Sequence, residues 1–304
     1  MTGHLWKLAL VVALSHGYRV AGRALGPRWA GLITALPCST AIALLGGGAD
    51  RGVEYAAQMA GACWVGLAGA SALPLAFAAA LVRGWGWGRA ILVAILAYFA
   101  VMAGVGTLGQ ATGQPTAVAL AALVLATVAA GRMPEPRPPH RSRGRALSPP
   151  QVLLLRTAVP VACLATVIAL GERLGPDAAG YLGTFPGMTL TALLLTDLET
   201  GPVPAVRMAQ ALPPGNWAMV SFLAVFGATA PCYGLLGGTG LGYLGALACL
   251  GVVARLANPP IWATLREILH ARRRQVARAA GPALLPAWPR GPRRFSPGIE
   301  VGLA

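Results

Sequence analysis

From Ala90 to Gly131 the chain carries no acidic or basic side chain at all. Such a stretch is at odds with a water-facing surface, whereas a helix of about 20 apolar residues crosses the roughly 30 Å hydrocarbon core of a bilayer. The rest of the chain extends the pattern: 56% of its 304 residues are hydrophobic and 11% charged, against roughly a quarter charged in an ordinary soluble domain. Apolar segments near residues 5–25, 29–48, 55–80, 87–108 and 115–131, and again near 152–172, 178–197, 215–231 and 235–256, predict an all-α, polytopic transmembrane helix bundle of about nine spans.

Sliding the sequence against itself by 149 residues aligns two stretches without a gap. Gly22, Leu25, Gly26, Pro27, Ala30 and Gly31 fall on Gly171, Leu174, Gly175, Pro176, Ala179 and Gly180. Pro37, Thr40, the run Ala43 to Leu45, and Gly52 then fall on Pro186, Thr189, Ala192 to Leu194, and Gly201. Ala56, Met59 and Ala60 fall on Ala205, Met208 and Ala209. Matches at Ala and Leu cost little in so biased a composition, but Pro, Gly, Thr and Met in one register point to an internal duplication. Five spans before the linker and four after it place corresponding helices in opposite directions, which makes the duplication an inverted-topology repeat. A parallel repeat would require an even number of spans in the first half.

Basic residues give a check on orientation, because Lys and Arg favour cytoplasmic connections. Arg19, Arg23 and Arg28 flank the first connection, Arg83 and Arg89 the third, and Arg132, Arg137, Arg141, Arg143 and Arg145 the linker. The intervening connections carry only Asp50, Arg51 and Glu54, or nothing. The expectation is an N-terminus outside, with linker and C-terminus in the cytoplasm. The chain then divides into a first repeat unit (1–131), a basic Pro/Arg-rich linker (132–150), a second unit (151–257), and a basic amphipathic helix with a disordered cytoplasmic tail (258–304). The apolar run after Lys7 lacks a small-residue cleavage site, so it reads as an uncleaved first span and not a signal peptide.

The net charge of +15 sits largely in the linker and the tail. Basic segments beside spans are attracted to anionic lipid headgroups. Neither segment interleaves aromatics for base stacking, so the expected partner is the lipid bilayer and not nucleic acid.

Two constellations invite a functional reading. Pro37, Ser39 and Thr40 lie near the middle of the second span, and Pro186, Gly187 and Thr189 near the middle of its counterpart. Proline removes a backbone donor and displaces the carbonyl four residues earlier, and paired interrupted helices are where inverted-repeat transporters place a midplane site. A simple proline kink patched by local hydroxyls is the plainer alternative. Glu54, Gln58, Asp197 and Arg207 stand at the approaches to the third span and its counterpart, as candidates for gating or ion coupling; solvation at loop ends is the plainer account.

Other motifs point away from catalysis. Gly240, Gly242 and Gly245 match a dinucleotide fingerprint but lie in an apolar span with no preceding strand, so close helix packing, shared with Gly238, explains them better. The five cysteines are widely separated in apolar sequence and read as small buried hydrophobes. The four histidines are scattered, leaving neither a metal site nor an implied cofactor.

The stretch "LGPRWAGLITALP" at 25–37, followed by hydroxyls and an Ala/Gly-rich span, resembles small bacterial inner-membrane proteins of the GlpM-like type, linked to alginate production. The chain then looks like a fused tandem of two such units. Asp177 and Tyr181 depart from it where the first copy has Arg28 and Leu32. The resemblance implies a polytopic protein of the bacterial inner membrane. The functional expectation is a non-enzymatic transporter of a small solute or lipid-related substrate. The alternative is a scaffold for envelope polysaccharide or lipid machinery.

Overall fold

The computed structural model describes residues 27–134 and 148–257, with position 17. The expected first span, most of the linker, and the basic helix and tail of 258–304 lie outside the described residues. Those described form helices only: α1 (Pro27–Thr34), α2 (Cys38–Arg51), α3 (Val53–Val82), α4 (Trp87–Thr112), α5 (Pro115–Arg132), α6 (Pro149–Gly183), α7 (Gly187–Thr200), α8 (Pro202–Gly215) and α9 (Trp217–Ala257). Six segments are long and apolar enough to cross a membrane: Trp29–Arg51, Val53–Val82, Trp87–Thr112, Pro115–Arg132, Arg173–Thr200 and Pro202–Leu256.

Single glycines reverse the chain. Gly52 (φ 95, ψ 167), Gly175 (φ 87, ψ −176), Gly201 (φ 93, ψ 177) and Gly234 (φ 73, ψ 177) share a backbone conformation open essentially to glycine alone. Across Gly52, Gly48 lies on Ala56; across Gly175, Gly187 lies on Cys163; across Gly234, Gly238 lies on Ala230 and Gly242 on Phe222. Helices α6 and α9 are therefore each a hairpin, and the long Pro202–Leu256 segment passes back along itself.

One sequence expectation is corrected here. Residues 198–214, which fall between the predicted spans 178–197 and 215–231, are largely helix α8. Pro202 opens it at the first helical position, where no donor is lost, and Asn216 N–H bonds to the Leu212 carbonyl at 2.9 Å, carrying the chain straight into α9. Polar Arg207 and Gln210 concealed its otherwise apolar face of Ala205, Val206, Met208, Ala209 and Leu212, all buried.

Helix α3 is the hub, packing against α2, α4, α5, α6, α8 and α9. Its closest backbone approaches are made at small residues, Ala62, Gly66 and Gly69, as expected where lipid gives no hydrophobic drive between helices. Large side chains fill the spaces between these contacts, with Leu67, Leu73 and Phe77 of α3 buried alongside Tyr98, Phe222 and Phe226, while Leu92, Leu96, Leu108, Leu125, Leu236, Leu244 and Leu247 are exposed. Exposed Trp85 and Trp87 flank the α3–α4 turn beside exposed Arg83 and Arg89, the combination found at a membrane–water boundary.

The closest inter-helix approaches come in matched pairs. Gly31 on α1 lies against the Met208 carbonyl and Ala211 on α8, while Gly180 on α6 lies against the Met59 carbonyl and Ala62 on α3. Gly215 lies against Ala35 and Leu32, while Gly66 lies against Thr184 and Tyr181. Every residue in one member of a pair sits 149 positions from its equivalent in the other. These approaches also fix directions. Going up α1 from Gly31 to Ala35 goes up α8 from Met208 to Gly215, so α1 runs parallel to α8 and antiparallel to α7. By the same reasoning the 176–183 half of α6 runs parallel to α3 and antiparallel to α2.

Candidate functional site

Pro37 and Pro186 do more than kink a helix. Each stands at a full break, with φ −74, ψ 36 and φ −85, ψ 57, and α2 or α7 begins immediately after it. The two breaks are the same local structure. Leu36 N–H bonds to Ile33 O (3.1 Å) and Cys38 N–H to Leu36 O (2.8 Å), and in the second half Phe185 N–H bonds to Leu182 O (2.8 Å) and Gly187 N–H to Phe185 O (2.9 Å). The carbonyl that each proline displaces is thus satisfied by a tight local turn.

The remaining carbonyls at the end of the 176–183 half-helix are capped by side chains from other helices. Cys63 donates to Gly180 O (3.4 Å), Tyr98 to Tyr181 O (2.6 Å), and Thr40 to Gly183 O (3.2 Å). Thr184 also donates to Tyr181 O (2.9 Å), and the Phe185 ring meets that of Tyr98 edge-on at 5.0 Å. Thr40, singled out in the sequence, therefore serves the broken helix of the other half. The first break is finished differently: the Leu32 and Thr34 carbonyls, equivalents of those of Tyr181 and Gly183, accept no hydrogen bond among the described residues.

The two helix starts adjoin. Cys38 and Ile42 of α2 pack with Met188 of α7 in one small cluster, against which Leu36, Val161 and Tyr243 are laid. Thr189 is 8% exposed, yet its hydroxyl finds no hydrogen-bond partner among the described residues. Ser39 is half-buried and its hydroxyl is likewise unpartnered there. The backbone N–H groups of Ser39, Thr40 and Thr189, in the first turns of α2 and α7, are also without acceptors among the described residues.

The proposed gating residues are not gathered at this place. Glu54 and Gln58 are exposed just past the Gly52 turn, while half-buried Asp197 and exposed Arg207 flank the Gly201 turn. About fourteen helical residues, roughly 20 Å, separate each turn from the corresponding break. Gln210 donates to Met133 O at 3.0 Å, and Arg51 lies over the Tyr55 ring at 4.9 Å.

Sequence reasoning passed over a second buried polar contact. Asn216 Nδ2 donates to Ser71 Oγ at 2.9 Å, and Ser71 donates on to Leu67 O at 2.9 Å, joining the middle of α3 to the α8–α9 junction. The cysteine reading is amended: Cys38 and Cys63 are buried, but Cys163 and Cys249 are half-buried and Cys232 is exposed. Among the described residues no group of His, Cys, Asp or Glu is arranged to hold a metal.

Compared with protein-family models, with curated proteins and with solved structures, the chain matches none.

Proposed function

We propose that this chain is a membrane transporter built as an inverted-topology repeat, with a midplane substrate site between the starts of α2 and α7. On this reading the chain crosses a bacterial inner membrane nine times, five in residues 1–131 and four in 151–257. The N-terminus is outside and the linker and C-terminus are cytoplasmic. Pro37, Ser39, Thr40, Pro186, Gly187 and Thr189 line the site for a small solute or lipid-related substrate, and the Gly52 and Gly201 turns with Glu54, Gln58, Asp197 and Arg207 lie at opposite faces.

The observation that carries the reading is the exchange of contacts between two antiparallel broken helices. Each half-helix before a break packs on the third helix of the other half, through equivalent glycines. A two-fold relation of this kind produces reciprocal contacts between like surfaces, and interrupted helices related in that way form the sites of alternating-access transporters. The unequal finish of the two breaks supports the same reading, since alternating access requires the halves to differ at any moment.

A substrate-independent test uses Ser39→Cys in a variant whose native cysteines have been replaced. In right-side-out and inside-out vesicles, a small hydrophilic methanethiosulfonate should modify this cysteine from both faces, far faster than one at fully buried Ala78. Modification from neither face, or from one only, contradicts alternating access. The first result would favour a non-transporting scaffold.

A further inference from the structure

We infer that the site between the two helix starts binds a monovalent anion, such as a carboxylate group or a halide. The inference rests on the transporter reading for its biological use but not for its chemistry. A helix N-terminus carries the equivalent of about half a positive charge on its unpaired N–H groups. Here two such ends, on helices of 14 residues each, adjoin through Cys38 and Met188. Together they offer about one elementary charge, enough to balance a single negative charge and not two.

The independent observation is Thr189. A hydroxyl this deeply buried normally has a partner, since leaving it unpaired costs free energy in an apolar setting. Thr40, its equivalent 149 residues earlier, spends its hydroxyl on Gly183 O. Among the described residues Thr189 Oγ1 has no partner, and it stands in the first turn of α7, where the Cα–Cβ bond tilts back toward the helix start. Ser39 on α2 supplies a second hydroxyl that has no partner among the described residues. The donors available are therefore two hydroxyls and the N–H groups of Ser39, Thr40 and Thr189, a set suited to acceptor oxygens or a halide.

Among the described residues no charged side chain opposes this field; the partial negative ends of α1 and of the 176–183 half-helix oppose it in part, the latter blunted by the donors Cys63, Tyr98 and Thr40. Every acidic or basic side chain whose burial is described is exposed, except half-buried Asp197. Asp197 ends α7, about ten residues and roughly 15 Å from its start. Among the described residues a cationic ligand would find no carboxylate here to neutralise it.

The test uses the full chain in nanodiscs of neutral phosphatidylcholine. Sodium acetate or sodium chloride is substituted for sodium sulfate at constant ionic strength while the thermal midpoint is read. The expected result is a saturable rise with at least one monovalent anion. Its half-saturation concentration should increase roughly tenfold or more in Thr189→Val, as for loss of a hydrogen bond to a charged ligand, and return in Thr189→Ser. Because Thr189 has no hydrogen-bond partner to lose among the described residues, the valine variant should keep its fold, and Ser39→Ala gives a second, independent weakening. Absence of any rise, or a rise equal in Thr189→Val, overturns the site. Saturable binding without two-sided access at position 39 leaves the anion site standing and removes transport; two-sided access without anion binding does the reverse.

Discussion

Gly31 lies directly against the backbone carbonyl of Met208, across the boundary between the two halves of the chain. Gly180 meets the Met59 carbonyl in the same way, with both residues displaced by 149 positions. A methyl group at either glycine would strike backbone and not a flexible side-chain end. Gly31→Val and Gly180→Val should each destabilise the protein by about 1–3 kcal/mol or more, the cost of overpacking a close contact. Gly61, on α3 with nothing within 4 Å, is the control, and its change to Ala should be harmless. Chemical unfolding in detergent or lipid measures all three.

Gly52 and Gly201 adopt nearly the same positive-φ, extended-ψ backbone at the ends of α2 and α7. Although nothing crowds either position, a side chain is disfavoured by the backbone itself. Gly52→Ala and Gly201→Ala should each cost about 1–3 kcal/mol, read as lowered thermal midpoints. Equal stability to the parent would mean that the turns relax.

Thr40 and Thr189 are equivalent in sequence but not in bonding. Thr40→Val strips the hydroxyl from Gly183 O and should lower stability by about 1 kcal/mol. Thr189→Val breaks no hydrogen bond among the described residues and should change it by less than about 0.5 kcal/mol. Thermal unfolding of the two variants side by side separates them, and equal losses would contradict the assignment.

Buried Asn216 and Ser71 join the centres of the two halves. In a double-mutant cycle with Asn216→Leu and Ser71→Ala, the coupling energy should be about 0.6 kcal/mol and no more than roughly 1.7, the range for hydrogen bonds between membrane helices. Zero coupling would remove this contact from the account.

Much of this arrangement is legible in the sequence because glycine and proline act locally. The 149-residue register that aligns Pro37 with Pro186 and Gly52 with Gly201 also aligns the observed starts and ends of α2 and α7. Of the glycines whose spacing reads as close packing, Gly238, Gly242 and Gly245 lie against the preceding arm of the α9 hairpin, but Gly240 is exposed with nothing within 4 Å. Other features depend on distant partners. Gly66 and Gly215 are equivalent, but their neighbours Leu67 and Asn216 differ too much to draw attention. Thr40 finds its acceptor 143 residues away, which no local pattern encodes. Asn216 follows Pro213, Pro214 and Gly215, a run that reads as a loop, so a buried helical asparagine there was not foreseen. That Thr189 differs from Thr40 is a property of the conformation and has no trace in sequence.

Orientation of the two halves relative to the membrane is the central claim, and labelling at the equivalent turns tests it most directly. With native cysteines replaced and expression verified, single cysteines at Ala49 and at Thr200 are exposed in intact cells to a membrane-impermeant thiol reagent. Both positions are exposed to solvent in the fold. Labelling at Ala49 but not at Thr200, with Thr200 becoming reactive once the cells are opened, is the predicted result. Equal labelling at both positions in intact cells would contradict the inverted repeat, and with it the midplane site.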